Sequence, residues 1–197
     1  MAATAIDDRL HFFRMFLAEP SVVGAIVPSS AALATEIVRL AAVSRARTIV
    51  ELGAGTGAIT SVITREAPSD AMVISIEIHT TFARILSSRF QNVHVVTDSA
   101  ERVGDYLHAA ARTTADCVVS GLPWAAFNDA LQLRLLGVIK KVLAPGGVFA
   151  TFAYVHASML PAARRFRGHL EEMFSGVDIS PVIWRNLPPA FVYSCRA

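Results

Sequence analysis

The chain has 197 residues, with 18 Lys+Arg against 16 Asp+Glu, 53% apolar residues and only 17% charged ones. That length fits one domain burying roughly 70% of its unfolded surface, and the apolar content excludes intrinsic disorder, which needs low hydropathy and high charge. A net charge of +2 is too small to announce a nucleic-acid partner, and apolar stretches such as Ser21–Val27 and Val73–Ile76 fall far short of the ~18 residues of a membrane-spanning helix.

Met1–Asp8 carries acids where a secretory leader would carry bases, and Cys117 and Cys195 read as reduced thiols packed in strands, so the expected location is the cytoplasm. Ala5–Ala18 then reads as a helix, ended by Glu19-Pro20. Helical spacing puts Ile6, Leu10, Phe13 and Leu17 on one stripe, widened by Phe12 and Phe16, with Asp7, Asp8, Arg9 and Arg14 elsewhere on the wheel. Such a helix either packs on a sheet or settles into a bilayer interface. A second helix is expected over Ser30–Ala42, capped by Ser29 or Ser30.

From there strands and helices alternate. The expected strands are Thr48–Leu52, Met72–Glu77, Val93–Asp98, Asp116–Ser120, Val148–Tyr154, Val177–Trp184 and Ala190–Cys195. Several are continuous and β-branched, as suits strands covered on both faces. The expected helices are Thr56–Glu66, Thr80–Phe90, Glu101–Ala111, Asn128–Leu143 and Ser158–Phe174, with Pro145-Gly146-Gly147 turning the chain into the fifth strand. This order predicts an α/β fold with a doubly wound, mostly parallel seven-stranded sheet. Only Asn186-Leu187-Pro188-Pro189 separates the last two strands, which should close an antiparallel hairpin. The whole reads as a single domain, with residues 1–45 as a helical cap and 46–197 as the core. Cys117 and Cys195 lie far apart and suit neither a disulfide framework nor a metal site.

The strongest local signal is Glu51-Leu52-Gly53-Ala54-Gly55-Thr56-Gly57 at the end of the first strand. Glycines here let a ligand approach the main chain, and the following helix offers unpaired N–H groups. The spacing is not G-x-G-x-x-G, and the Lys-Ser/Thr of a phosphate-binding loop is missing. Glu51 would repel a diphosphate but attract an ammonium. A nucleoside cofactor with an amino-acid tail answers all three points, and S-adenosylmethionine (SAM) has one.

The E-x-G-x-G-x-G run resembles motif I of the class I, Rossmann-like SAM-dependent methyltransferases. The resemblance implies that Glu77, ending the second strand, accepts the ribose hydroxyls, and that Asp98-Ser99-Ala100, after the third, meets the adenine. Ser120-Gly121-Leu122-Pro123-Trp124 stands at motif IV, where the acceptor amine meets the methyl group. Adenine methyltransferases carry Asn or Asp before Pro-aromatic there, and Ser120-Gly121 departs from that pattern.

Taken with Val23–Ser30 and Val182–Tyr193, the whole pattern resembles the compact bacterial phospholipid N-methyltransferases, which convert phosphatidylethanolamine stepwise towards phosphatidylcholine. It also resembles the rRNA adenine dimethyltransferases, whose extra C-terminal helical domain is not expected here. The resemblance implies cofactor contacts by Ser29, Ser30, Glu51, Gly53, Ala54, Gly55, Thr56, Gly57, Glu77, Ile78, Asp98, Ser99, Ala100, Ser120, Gly121 and Leu122, and no metal. His79, His94, His108 and His156 are scattered, and none stands out as a general base. Trp124 and Tyr154 are candidates for an aromatic wall around the amine, or for core packing; Arg185 is a candidate for the lipid phosphate, or an exposed turn residue.

The acceptor is thus expected to be a phospholipid amine at the inner face of the membrane. Contact with an anionic surface would come from Phe12, Phe13 and Phe16 and from the Arg164/Arg165/Arg167 cluster. Another aminolipid such as ornithine lipid, an rRNA adenine, and a SAM-binding module without catalysis are the alternatives.

Overall fold

The computed structural model describes residues 30–197. The Phe12/Phe13/Phe16 helix and Ser29 lie outside the described residues. Strands β1 (Thr48–Leu52), β2 (Met72–Ile76), β3 (His94–Val96), β4 (Ala115–Ser120), β5 (Leu143–Tyr154), β6 (Gly176–Ile179) and β7 (Ala190–Arg196) form one sheet in the order β3-β2-β1-β4-β5-β7-β6. The first five run parallel, and β7 lies antiparallel between β5 and β6. This is the expected Rossmann-like sheet with its antiparallel terminal hairpin.

Helices α1 (Ala31–Leu40), α2 (Ala58–Glu66), α3 (Thr80–Arg89), α4 (Val103–Ala109), α5 (Asp129–Val142) and α6 (Pro161–Met173) accompany the sheet. Side chains of a strand alternate between faces, and the sheet builds a core on each. Val50, Leu52, Val118 and Phe149 pack with Leu107 of α4, Leu136 and Ile139 of α5, and Phe166 and Leu170 of α6. Ile49, Cys117, Val119 and Ala150 pack with Leu33 and Ile37 of α1 and Ile59 and Ile63 of α2. Residues 31–43, expected in an N-terminal cap, therefore supply one face of the core. Both cysteines are free and buried, and burial pushes each thiol up to about 12, so both stay protonated.

The chain departs from its sequence reading at two ends. The run expected as one strand over Val177–Trp184 stops at Ile179, because Pro181 has no N–H for the ladder. Residues 180–189 form a longer connection than expected, pinned by Ser180, whose Oγ accepts the Val192 N–H at 2.9 Å, and by a bridge between Ile183 and Ala190. Helix α5 stops at Val142, ahead of Pro145-Gly146-Gly147, because Leu143 already pairs with Ala115 of β4; the proline-glycine run becomes an irregularity within β5.

Candidate active site at the carboxyl edge

The strand order reverses between β1 and β4, since β1 leads outward to β2 and β3 while β4 leads the other way. Open parallel sheets bind ligands at such a switch point, beyond the carboxyl ends of the strands. The loops leaving β1 and β4 are stitched together there. The Gly121 N–H donates to Leu52 O and the Gly53 N–H to Ile76 O, both at 2.8 Å. Gly53 has φ +73°, a left-handed conformation that L side chains rarely adopt. A Cβ on Gly121 would stand 2.5 Å from Gly53 O, so the residue after Ser120 has no room for a side chain. A Cβ on Gly55 would meet nothing within 4 Å. The glycine loop is thus closed on its motif IV side and open where a ligand would lie.

Three acids stand behind this loop. Glu51 is fully buried on the α2 face of β1. Its Oε2 accepts the Thr60 hydroxyl at 2.7 Å and the Ser75 hydroxyl at 3.1 Å, while its Oε1 is buried with no partner among the described residues. Burial above all pushes its carboxyl up to about 7, the nearby Glu77 charge adding to the effect and the hydroxyls opposing it. Glu77, also buried, accepts the Gly55 N–H on Oε2 and the His79 N–H on Oε1, both at 2.8 Å, and so tethers the glycine loop to β2. Each of those oxygens keeps a second lone pair for a ribose hydroxyl.

Asp98 is the most committed of the three. Its Oδ1 accepts the Ser99 N–H at 2.7 Å, and its Oδ2 accepts the Tyr106 hydroxyl at 2.5 Å and an Arg102 N–H at 3.2 Å. The Tyr106 bond, more than the others, holds its carboxyl below the usual range. Ser99 caps the 3-10 turn Ala100–Arg102. Asp98 thus serves as a local anchor for this turn, and the adenine contact implied for it would have to share those oxygens.

The remaining predicted residues gather nearby. Ala54 is buried, Thr56 gives its carbonyl to Arg89 at 2.9 Å, Gly57 caps α2, and Ile78 is exposed beside Glu77. Ser120 is fully buried, and its Oγ accepts the Leu122 N–H at 3.2 Å and the Trp124 indole N–H at 3.1 Å. Of the two readings open for Trp124, the structure shows core packing. Its ring stacks on Phe166 at 4.5 Å and meets Phe127 and Phe149 edge-on, each at 5.9 Å, so the indole is a core group and not an open wall. Tyr154 is half-buried at the end of β5, edge-on to Phe152 and stacked on His156. Burial raises its hydroxyl, so it is a neutral phenol. Arg185 is exposed in the 180–189 connection and pairs with no acid among the described residues.

Sequence reasoning missed two buried amides. Asn186 is only 3% exposed; its Oδ1 accepts the Ser30 N–H at 2.9 Å and its Nδ2 donates to Pro188 O at 2.7 Å. Ser30 in turn caps α1 through the Leu33 N–H. The predicted Ser30 position is therefore held by the loop before β7. Gln132, fully buried, donates to Trp124 O at 2.8 Å and Ala162 O at 3.1 Å, tying the motif IV turn to α6. Gln132 falls on the buried stripe of α5 with Leu135, Leu136, Ile139 and Val142, so helical spacing was the signal that could have found it, whereas Asn186 lies in an irregular connection with no period to place it. Asn186→Ala should strand the Ser30 N–H and the Pro188 carbonyl and lower unfolding stability by about 1–3 kcal/mol, read by urea denaturation.

Residues 49–147 match the family model described as a methyltransferase domain. A curated relative, the ornithine lipid N-methyltransferase of Singulisphaera acidiphila, is 37% identical over 194 residues, 97% of each chain. The chain belongs to the SAM-dependent methyltransferases. An O-methyltransferase from Bacillus cereus solved with S-adenosylhomocysteine superposes on this methyltransferase with TM-score 0.68 at 16% identity, covering 94% of this chain and 90% of that one. TomG, an O-methyltransferase from Streptomyces achromogenes solved with SAM, gives 0.65 at 20%, covering 94% and 89%. These likenesses establish the fold; the acceptor has to be argued from other features.

The residues of this methyltransferase fit SAM. The buried Oε1 of Glu51, without a partner among the described residues, suits an ammonium, the space over Gly55 admits a chain lying on the backbone, and Glu77 keeps lone pairs for a diol. The bound cofactor would supply an electrophilic methyl group; the protein's part is to hold it and to present an acceptor.

Proposed function

We propose that this methyltransferase is a peripheral N-methyltransferase acting on the amine of a membrane aminolipid at the cytoplasmic face of the bilayer. The observation that carries the reading is the end-to-end match to a relative named for ornithine lipid N-methylation. Ornithine lipid is therefore the first acceptor to test. Phosphatidylethanolamine, methylated stepwise towards phosphatidylcholine, is the second, supported by the motif IV sequence Ser120-Gly121-Leu122-Pro123-Trp124.

The chemistry asks little of the protein. With the cofactor bound, the amine nitrogen would bond to its methyl carbon as the carbon–sulfur bond breaks, and the new ammonium would give one proton to water. Positioning supplies the rate. Tyr154, a neutral phenol at the end of β5, is the candidate to accept a hydrogen bond from the amine or to face the cation, an interaction worth about 0.5–2 kcal/mol. Arg185 is the candidate for the lipid phosphate or carboxylate.

The test is methyl transfer from labelled SAM to vesicles containing ornithine lipid or phosphatidylethanolamine, with unmethylated rRNA in parallel. Label in the lipid extract is expected. Label confined to RNA, or found in neither fraction, overturns the reading.

A further inference from the structure

Four of the described large apolar side chains with the greatest exposure belong to two neighbouring segments. Trp184 is 75% exposed and Leu187 74%, both in the 180–189 connection; Met159 is 67% and Leu160 49% exposed, in the turn between β5 and α6. The segments meet at one corner of the sheet. The Val155 N–H donates to Pro189 O at 2.9 Å, and Tyr154 and Ala190 are register partners at the ends of β5 and β7. Because β5 runs parallel to β1, this corner lies on the same carboxyl edge as the glycine loop. The backbone beneath Trp184 and Leu187 is braced: Asn186 between them is buried, with its Oδ1 on the Ser30 N–H and its Nδ2 on Pro188 O.

The two segments at this corner carry bases and no acid: residues 155–170 contain Arg164, Arg165, Arg167, His156 and His169, and residues 179–190 contain Arg185. His169 Nε2 lies 2.7 Å from Asp129. Arg167 pairs with Glu171 at 2.8 Å, and Arg165 lies 3.8 Å from Asp129. Arg164 instead reaches Met159, its Nη2 standing 3.9 Å from the sulfur, and Arg185 follows Trp184 directly. An exposed tryptophan and leucines flanked by arginines match a bilayer interface, where indole sits at headgroup depth and cations meet anionic lipid.

We infer that Trp184, Leu187, Met159 and Leu160, with Arg164 and Arg185, form a docking ridge that seats the carboxyl edge of the sheet on an anionic bilayer. The inference rests on the lipid-acceptor reading and deepens it. The ridge stands at the rim of the site, so docking would present the glycine loop's edge of the sheet to headgroups while the acyl chains stay in the membrane.

Tryptophan fluorescence tests it directly, since the chain has two tryptophans and Trp124 is buried. With full-length protein and vesicles of phosphatidylglycerol and phosphatidylcholine, Trp184 emission should shift to the blue and be quenched by brominated acyl chains. Trp184→Ala/Leu187→Ala should bind these vesicles about tenfold or more weakly while binding S-adenosylhomocysteine as the parent does and methylating a short-chain, monomeric aminolipid at an unchanged rate. Unshifted emission, or equal vesicle binding by the double variant, overturns the ridge. So does a Trp184 emission that responds to protein concentration without vesicles, which would assign the surface to a second copy. An emission already blue without vesicles and reddened by Phe12→Ala/Phe13→Ala/Phe16→Ala would assign it to the chain's own N-terminal segment, and overturns the ridge equally. Vesicle binding through Trp184 without methyl transfer to any aminolipid would leave the ridge standing and remove the acceptor reading.

Discussion

Replacing Gly121 by alanine is expected to cost this methyltransferase most of its cofactor affinity and a large part of its stability. The new Cβ would stand 2.5 Å from Gly53 O, and the atom in the way is backbone, which cannot swing aside as a side-chain tip can. Relief requires the two loops at the switch point to part, breaking the 2.8 Å bond from the Gly121 N–H to Leu52 O. Overpacking of this kind costs about 1–3 kcal/mol and sometimes more. Calorimetric titration with S-adenosylhomocysteine should show affinity reduced by about tenfold or more, and urea unfolding a lowered midpoint. Gly137→Ala is the control. It lies within α5, a Cβ there would meet nothing within 4 Å, and removing a helical glycine should stabilise by about 0.5–1 kcal/mol. Equal behaviour of the two variants would refute the close-packed loop pair.

Glu51 should make stability depend on pH in the sense opposite to a surface carboxylate. Its folded value of about 7 lies above the ordinary 4.5, so between those values the folded chain binds more protons than the unfolded one. Stability therefore falls as pH rises from about 4.5 to about 7 and levels off above, by up to about 3 kcal/mol. Glu51→Gln, which keeps the Thr60 and Ser75 neighbours but cannot ionise, should lose that slope. The difference between the two urea-stability profiles isolates Glu51 from other titrating groups. An ammonium brought to its Oε1, which has no partner among the described residues, would favour the ionised form again. Binding of S-adenosylhomocysteine near pH 7 should therefore release a fraction of a proton, read as an enthalpy that varies with buffer ionisation heat. A buffer-independent enthalpy together with parallel stability profiles would exclude Glu51 as the ammonium partner.

The legible parts of this fold were those where local pattern and tertiary environment agree. Thr48–Leu52 was read with its observed bounds because a β-branched apolar run followed by Gly53-Ala54-Gly55 admits few alternatives. The glycine loop and Glu51 were legible for the same reason. Pairing could not be read from pattern: Ile183 looks like strand, but Pro181 interrupts the ladder ahead of it, and Leu143 looks like the end of a helix, but Ala115 claims it for β5. Trp124 carried the largest ambiguity. An aromatic after Leu-Pro suits an amine pocket and a core equally, and only the position of Phe166, forty-two residues on, decides between them. Asn186 was invisible because its partners are backbone atoms brought together by the finished fold; the burial of Gln132 could be read from its place on the stripe of Leu135, Leu136 and Ile139, but not its carbonyl partners.

The placement of β7 between β5 and β6 has a consequence for synthesis. Gly176–Ile179 leaves the ribosome before Ala190–Arg196, yet its one neighbour in the sheet is that later strand. Until it arrives, twelve-residue β5 presents an unpaired, largely apolar flank, the kind of edge that invites pairing with other chains. The nascent protein thus passes through a window in which five parallel strands are ready and the sheet is still open, and a translational pause before residue 190 would lengthen that exposure.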